Sequence, residues 1–580
     1  MDQPYQLISP KEGTNTFHLT IYRDPLNKSH FKTNIKRNSQ LNLKKIKDVA
    51  CNSEYTYALS TNGELIMING NNIDSNVIQN VPKNVLVYAV GSSTEHTMLH
   101  AIDCNTKKFR LFGIGLNDRI QIINLPIKHY TKWVEISKDD LTMQLVSLSC
   151  GKKFTVHLNL DGKVFVFGLS NFGRIGTNHN KILNIDSFYA QDLYGYPIIS
   201  LAASQNHCIA LTATGVIFVC APQAHFEKNT NQKFDLGTDG NSQQKSQISD
   251  NKNPKETPFV KFDQLYGKFI VKISSLGHRC AALDNEGKAY VWNCNNKCNI
   301  HEINVDQITI ENKEIIDIAF YNESYFACLT STHSLYVFDL DNNLRNILQI
   351  PVVPTISRIF HCCKGMMMTQ SNKTQSQTEI IQDFILSKEQ NNDRIPKLLY
   401  INRNNIDLFL ADKNNYNLLK ATFSSLSAIN GSFIIRNQPE TTEDCLIDFD
   451  LVIEFYDKLK ETNRMDEFNR TFMNTVNDML IDQMTNLESS KLRFLVVALL
   501  HPLETESDID FWKTIIKYIT RSNANETLKQ WFKNFDQDIF QRIVNSLLKF
   551  FDEPKANKLY TFNQDVARVL SIIYSINEES

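Results

Sequence analysis

The residues with the clearest potential for chemistry are cysteines and histidines at short spacing. The stretch "NCNNKCNIH" places Cys294, Cys298 and His301 within one loop-like segment. Two thiolates and an imidazole are ligands that zinc prefers, but a zinc site ordinarily needs four ligands and no second pair accompanies these three. Cys294 also directly follows a strand pattern, where burial explains a cysteine equally well. We therefore expect no metal site here.

Two adjacent cysteines and two recurring histidines raise other chemical possibilities. Cys362 and Cys363 could form a redox pair, but neighbouring cysteines have poor geometry for a disulfide, and their methionine-rich surroundings favour core packing. His96 and His207 occupy the same position in a repeated pattern described below. A catalytic histidine would not need to recur, so we expect both to donate hydrogen bonds between strands within one sheet.

Motifs of familiar enzymes are missing from the sequence. It contains no G-x-x-x-x-G-K-[ST] nucleotide loop, no G-x-S-x-G elbow and no H-E-x-x-H helix. The stretch "GLSNFGRIG" follows a strand pattern with no helix after it, so it does not predict a phosphate loop. Trp512 and Trp531 lie at helical spacing and are expected to anchor a core. We predict no catalytic, cofactor-binding or metal-binding residue.

An internal repeat positions most of these residues. Four copies, among them "LSCGKKFTVHLNLDGKVFVFG", begin at Val49, Leu148, Leu201 and Ile273. In each copy a leucine follows ten positions later, and a glycine follows that leucine by four positions. We expect these glycines to adopt positive φ in hairpin turns; they are Gly63, Gly162, Gly215 and Gly287.

Further copies extend the repeat to seven. Two copies with one inserted residue cover 88–113 and 318–340, and a degenerate copy begins at Ile359. Strands such as "VFVF" are typical of sheets buried on both faces, which a lone four-stranded sheet cannot achieve but radially packed sheets can. The repeat predicts an all-β seven-bladed propeller over 1–375. The alternating strand "TFHLTIYR" at 16–23 is expected to pair with the last blade and close the ring.

The remainder of the chain has a different composition and period. Residues 222–258 are almost entirely polar and predict a loop extruded from the propeller. Residues 376–445 are expected as a linker, and 446–580 as an all-α domain of six or seven helices. In "DIFQRIVNSLLKFF" one helix face would carry Ile539, Phe540, Ile543, Val544, Leu547, Leu548 and Phe551.

The repeat resembles that of the regulator of chromosome condensation family. The copy beginning at Leu148 matches best, through Gly151, Leu158, Gly162, Phe165, Phe167, Gly168 and the ending "NFGRIG". His96 and His207 keep the histidine of the family signature, which is replaced in other copies by Tyr55, Phe154 and Arg279. The resemblance implies a seven-bladed propeller. Many of the family's loop glycines are missing, which puts functions tied to those loops in doubt.

A second resemblance covers the helical part. The stretches "FSSLSAINGSF", "LRFLVVALLHPL", "LKQWFKNFDQDIFQRIVNSLLKFF" and "VARVLSIIYSINEES" resemble the helical spacer of small HERC-type ubiquitin ligases. In that family a propeller, the spacer and a catalytic HECT domain follow in this order. These 580 residues hold no HECT domain, and the last cysteine, Cys445, precedes the helices. The resemblance implies that this chain recruits a substrate or regulator and does not itself transfer ubiquitin.

Bulk composition narrows the possible partners and location. A net charge of −2 provides no basic field for nucleic acid. No apolar run approaches the roughly 18 residues of a membrane span, and the first residues lack the apolar core of a secretory signal. Twelve cysteines without a regular framework fit a reducing compartment. We expect a cytoplasmic protein without a membrane span, whose partners are proteins.

Three functions remain open on the sequence alone. The first is a protein-interaction module of a HERC-like ubiquitin ligase. The second is a guanine-nucleotide exchange factor or regulator for a small GTPase, for which we identify no nucleotide-displacing wedge. The third is a propeller scaffold without any link to ubiquitin.

Overall fold

The fold is described from a computed structural model of the chain. It describes residues 16–23, 31–37, 41, 45–69, 72–76, 82–118, 121–122, 127–136, 145–168, 190–205, 207–220, 259–294, 300–303, 314–332, 334–341, 345–352, 356–370, 397–410, 416–436, 438–552 and 560–574. The predicted polar loop at 222–258, the "NFGRIG" segment and Cys298 lie outside these residues.

The N-terminal part is a seven-bladed β-propeller, as the repeat predicts. Blades 1 to 3 contain β3–β6 (Ile46–Cys51, Tyr55–Ser60, Leu65–Asn69, Asn72–Asn76), β7–β10 (Val85–Ser92, His96–Asp103, Phe109–Leu116, His129–Glu135) and β11–β13 (Leu145–Cys150, Phe154–Asn159, Val164–Gly168). Blades 4 to 6 contain β14–β17 (Ile198–Ala203, Cys208–Thr212, Ile217–Cys220, Val260–Lys261), β18–β21 (Ile270–Leu276, Arg279–Asp284, Ala289–Asn293, His301–Ile303) and β22–β25 (Ile315–Phe320, Tyr325–Thr330, Ser334–Asp339, Arg345–Pro351).

Blade 7 closes the ring by combining strands from both ends of the propeller. Its inner strands are β26 (Ile356–Cys362) and β27 (Gly365–Gln370), and its outer strands are β1 (Thr16–Arg23) and β2 (Phe31–Arg37). β1 pairs antiparallel with β27, with Phe17 opposite Met368. The predicted pairing of 16–23 with the last blade is therefore confirmed, and it leaves the ring without an open seam at this point.

The repeated spacing corresponds to the same hairpin in successive blades. The turn glycines join the second and third strands at φ between 77° and 82°, namely Gly63, Gly162, Gly215 and Gly287. At Gly215 an added Cβ would lie 2.7 Å from the backbone nitrogen of Ile270 in the next blade. Glycine is required there by both the turn and the close approach of the neighbouring blade.

A helical region follows the propeller. Its helices in the described part of the chain are α1 (Ile406–Leu410), α2 (Tyr416–Phe423), α3 (Leu426–Gly431), α4 (Phe449–Glu461), α5 (Met465–Ile481), α6 (Arg493–Leu499), α7 (Glu506–Arg521), α8 (Ala524–Phe532), α9 (Gln537–Asp552) and α10 (Tyr560–Tyr574). Seven of them lie beyond residue 446, within the predicted number. α1–α3 fall inside 376–445, which we expected as a linker. None of the described helices is both long and apolar enough to cross a membrane.

The helical core follows the predicted apolar periodicity. Trp512 and Trp531 are buried in it, as expected of core anchors. On α9, Ile543 and Leu547 are buried, whereas Leu548 is 40% exposed and so departs from the predicted face. This core continues into the propeller, because Leu160 of blade 3 packs against it and Tyr400 of the helical region belongs to the propeller core. The two regions therefore share one continuous apolar interior.

Candidate functional site

The inner strands of all seven blades surround a central channel. It encloses a cavity of about 530 Å³ that includes Ala50, Ser92, Ser149, Ala202 and Ser274. In every blade the pairing of the first and second strands is irregular near its start, for example between Ile46 and Asp48. Small side chains at the centre keep the channel open where seven backbones converge.

The residue after this irregularity is charged in four neighbouring blades. These residues are Asp48 in blade 1, Lys272 in blade 5, Asp317 in blade 6 and Arg358 in blade 7. The corresponding residues of the other three blades are small and uncharged: Ala89, Ser147 and Ser200. We call the four charged residues the charged sector. At this position of the first strand, one side of the channel therefore carries charge and the other side does not.

Asp317 is the centre of the charged sector. Its carboxylate accepts a hydrogen bond from the Lys272 ammonium of blade 5 and another, 2.7 Å long, from the backbone N–H of Ile359 in blade 7. Arg358 donates to the carbonyl of Lys47 in blade 1 at 2.8 Å. These bonds run from blade to blade across half of the ring. They act as cross-links within the propeller.

Burial dominates the electrostatics of the charged sector. Desolvation raises the pKa of the Asp48 carboxyl, an effect that the positive charge of Arg358 partly opposes. Desolvation also lowers the pKa of the Lys272 ammonium, against the attraction of Asp317. Each charge is thus held in place by its partner at a cost in solvation. This arrangement is that of a structural network, since its charged groups are engaged with one another.

The recurring histidines connect neighbouring blades. His96 Nε2 lies 2.7 Å from the hydroxyl of Thr155 in blade 3, and that hydroxyl donates to the carbonyl of Gln121. Because the hydroxyl has one hydrogen, it accepts from His96 Nε2–H. His207 Nε2 lies 2.7 Å from the Ser275 hydroxyl in blade 5. We expected bonds within one sheet, but both imidazoles reach the adjacent sheet; His96 Nδ1 also lies 3.2 Å from the Ser93 hydroxyl of its own blade.

The cysteines singled out in the sequence have separate environments. Cys362 and Cys363 are both buried and unbridged, and the Cys363 N–H donates to the Thr56 hydroxyl of blade 1 at 2.9 Å. Cys294 is buried, whereas His301 is exposed on β21. The side chains next to Cys294 come from other strands and are described below.

The propeller has two unlike faces. The turns between first and second strands, including 52–54 and 151–153, form what we call the open face. The hairpins between second and third strands, including 161–163 and 213–215, form the docked face. All hydrogen bonds recorded between the described helical and propeller residues involve the docked face or the strand ends beside it.

A buried ion pair fixes the helical region on blade 4. The Glu440 carboxylate accepts from the Arg493 guanidinium at 2.8 Å and from the Thr214 hydroxyl at 2.7 Å. Lys261 donates to its other oxygen at 3.3 Å. The side chains of Arg493 and Glu440 are 1% and 8% exposed. Burial alone raises the pKa of Glu440, but the charges of Arg493 and Lys261 and the hydrogen bonds outweigh burial and lower it.

Backbone contacts surround this ion pair. Asn430 donates to the carbonyl of Gly195 at 2.9 Å, and the Gly195 N–H donates to the Ser427 hydroxyl at 3.0 Å. The Tyr400 hydroxyl donates to the carbonyl of Ile198 at 2.8 Å. Paired polar groups and a shared apolar interior together fix the relative position of the two regions.

The open face carries charged side chains of both signs. Lys153 lies 3.6 Å from Asp118, and Arg279 lies 2.5 Å from Asp341. Lys152 is 46% exposed near Glu95. Each of these basic side chains lies beside an acidic one. Such a surface is suited to a protein partner with complementary charges.

Sequence reasoning missed the charged sector and the Glu440–Arg493 pair. The charged sector had a usable signal, since Asp48 and Lys272 directly precede the aliphatic residues that begin two repeat copies. The Glu440–Arg493 pair had no sequence signal, because Glu440 lies far from Thr214 along the chain and their contact depends on the docking of two regions.

Comparison with known proteins supports the propeller class. No protein-family model matches the chain. It is 25% identical over 154 residues to a Dictyostelium discoideum bifunctional serine/threonine-protein kinase/NEDD4-like E3 ubiquitin-protein ligase, covering 26% of this chain and 7% of that protein. It is 26% identical over 155 residues to the mouse RCC1-like G exchanging factor-like protein, covering 26% of this chain and 29% of that one.

The chain is also similar to a solved structure. Human WBSCR16 superposes with a TM-score of 0.46 at 15% identity, covering 62% of this chain and 99% of that one. The matched stretches span less than a third of the curated relatives' own length. The N-terminal part of the chain is a seven-bladed β-propeller, and a helical region follows it.

Proposed function

We propose that this chain is a non-catalytic protein-recognition module whose open propeller face binds a protein partner. The observation that carries the proposal is the asymmetry between the faces. The helical region is anchored on the docked face through Glu440, which accepts from Thr214 and Lys261 of blade 4 and is paired with Arg493 within the helical region. The described helices make no recorded hydrogen bond to the open face. A rigid ring with exposed turns is a suitable recognition platform.

The charges on the open face and the proposed location of the chain indicate which class of partner it binds. A surface with charges of both signs, such as Lys153 beside Asp118, favours a folded protein or peptide of complementary charge. The eleven cysteines in the described part of the chain are free thiols, which supports our proposal of a cytoplasmic location.

The more specific proposal is a role in ubiquitination. The helical stretches resemble a HERC-type spacer, and one of the curated relatives is named as an E3 ubiquitin-protein ligase. In this role the open face would recruit a substrate or a regulator, and the helical region would hold it at a fixed distance from a catalytic domain. In this role the thioester with ubiquitin would form on that catalytic domain and not on this chain.

A second candidate is regulation of a small GTPase. It is favoured by the similarity to a protein named as an RCC1-like G exchanging factor-like protein. Nucleotide-release assays on a panel of purified small GTPases distinguish the two candidates. Acceleration of release that is lost on changing open-face residues would support the GTPase role over the ubiquitin role.

Site-specific photocrosslinking tests the recognition proposal. A photoreactive residue replaces Lys152 on the open face or, as the matched control, Glu286, which is 59% exposed in a docked-face hairpin. We expect covalent adducts with a discrete set of proteins from Lys152 and few from Glu286. Ubiquitination of those proteins is then compared in cells with and without the chain. If Lys152 and Glu286 yield the same protein adducts in equal amounts, the proposal that the open face binds the partner is contradicted.

A further inference from the structure

Three metal-ligating side chains converge between blades 4 and 5. His207 precedes β15 of blade 4, Cys280 lies on β19 of blade 5, and Cys294 follows β20 of blade 5. One donor atom from each lies within 4.8 Å of the donor atoms of the other two. The two sulfur atoms are 3.3 Å apart. The sequence grouped Cys294 with its neighbours in the loop, but the fold places it beside residues from two other strands.

A fourth donor borders this cluster. The hydroxyl of Ser275 lies 2.7 Å from His207 Nε2 and 4.0 Å from Cys280 Sγ. One nitrogen, two sulfurs and one oxygen therefore surround a common volume. Tetrahedral sites of zinc combine nitrogen and sulfur ligands in this way, with metal–ligand bonds of about 2.0–2.3 Å. The observed separations are of the size that a single ion would span.

The cluster is enclosed by the core and is chemically ready for a cation. His207 and Cys294 are each 1% exposed, and Cys280 is fully buried. The imidazole of His207 offers one nitrogen and the two cysteines offer two sulfurs, which are the donor types that zinc and copper(I) prefer. A hydrogen bond to the backbone of Arg279 orients the ring, as is usual for ligating histidines.

We propose that His207, Cys280 and Cys294 form a binding site for a thiophilic ion, Zn²⁺ or Cu⁺. On binding, the two thiols lose their protons to solvent, and two sulfur–metal bonds and one nitrogen–metal bond form. The ion takes the place of the bond between His207 and Ser275, whose hydroxyl then becomes a fourth ligand or hydrogen-bonds a thiolate. The ion would cross-link blade 4, which carries the helical region, to blade 5.

The chain provides a matched control within blade 4. Cys208 and Cys220 are direct cross-strand partners on β15 and β16, and both are fully buried. Among the described residues no third metal-ligating group joins this pair. Replacing Cys220 therefore removes a buried thiol of the same propeller without touching the proposed site.

The test measures metal binding by the full-length reduced chain. Zn²⁺, Co²⁺ as a spectroscopic substitute and Cu⁺ held by a competing chelator are each added to chelator-treated protein. We expect one ion per chain, release of two protons, thiolate-to-cobalt charge-transfer absorption and a higher melting temperature. Cys280→Ala and Cys294→Ala should bind at least about tenfold more weakly, while Cys220→Ala binds like the wild type. Comparison of the affinities for Zn²⁺ and Cu⁺ identifies the ion that the site prefers.

Three results would overturn the proposal. One is the absence of charge-transfer absorption and proton release in the wild type, a measurement that does not depend on any variant folding. Another is equal binding by Cys280→Ala and the wild type. The third is a disulfide between Cys280 and Cys294 in protein isolated with its thiols protected, seen as the loss of two hydrogens by mass spectrometry. If either cysteine variant fails to fold, His207→Gln replaces it in the comparison.

Discussion

Two groups of blades in the propeller ring share one repeat but are held together differently. Blades 3 and 4 have small, uncharged residues at the channel position, Ser147 and Ser200, and are supported from outside by the helical region. Blades 5, 6, 7 and 1 lack that support among the described contacts and carry the charged sector instead. The repeat therefore determines each sheet, whereas residues outside the repeat consensus determine how neighbouring sheets are fixed.

The largest effect should come from breaking the external support. Arg493→Met leaves the Glu440 carboxylate buried without its closest cation. We expect a loss of about 3–5 kcal/mol in the free energy of unfolding, because removing one partner of a buried ion pair is strongly unfavourable and only Lys261, at 3.3 Å, then remains as a counter-charge. Urea denaturation followed by circular dichroism measures the loss.

A double substitution distinguishes a charge effect from lost packing. Arg493→Met combined with Glu440→Gln removes both charges and should recover most of the lost stability. A double variant as unstable as Arg493→Met alone would show that the guanidinium acts through its packing and its hydrogen bonds to Cys445 and Ser490.

A somewhat smaller effect is expected from the internal network. Asp317→Ala removes the acceptor for Lys272 and for the Ile359 N–H, so we expect a loss of about 2–3 kcal/mol. The matched surface change, Lys288→Ala, breaks an exposed pair with Glu286 and should leave the stability nearly unchanged. Denaturation midpoints that shift equally for both variants would contradict the role of the charged sector.

The bridging histidines make stability depend on pH. Burial lowers the pKa of His96 to about 3 from its ordinary value of 6.5. As pH falls below 6.5, the unfolded chain takes up a proton at this residue that the folded chain does not. Stability therefore falls with falling pH, by at most about 1.4 kcal/mol per pH unit for this histidine. His96→Gln should show a shallower dependence between pH 6.5 and 4, measured by urea denaturation at each pH; an unchanged slope would contradict this account.

The smallest expected effect is the loss of one bridge between blades. Thr155→Val removes the hydroxyl that accepts from His96 while keeping the shape of the side chain. We expect a loss of about 1–2 kcal/mol, since a buried imidazole N–H is left unpaired. Thr155→Ser keeps the hydroxyl and should retain more stability than Thr155→Val in thermal denaturation.

The sequence predicted the parts of the fold that repeat. Turn glycines such as Gly162 and the closing strand Thr16–Arg23 follow from local spacing and alternation, which depend on neighbouring residues alone. The seven helices beyond residue 446 follow from apolar periodicity in the same way.

The contacts between distant segments could not be predicted. Whether His96 bonds within its sheet or to Thr155 of the next depends on the angle between blades, which no local pattern encodes. The same holds for His207, which the packing of blade 4 against blade 5 brings beside Cys280 and Cys294. The charged sector was partly predictable. An alignment of the repeat copies that began one residue earlier would have included its charged residues.

Hydrogen–deuterium exchange on the full-length chain tests the central claim most directly. The account holds that the helical region and blades 3 and 4 form one structural unit, which leaves the open face free for a partner. In Arg493→Met we predict faster amide exchange both in α3 and in residues 198–219 of blade 4, with blades 6 and 7 unchanged. Faster exchange confined to the helical region, with blade 4 as protected as in the wild type, would contradict the account.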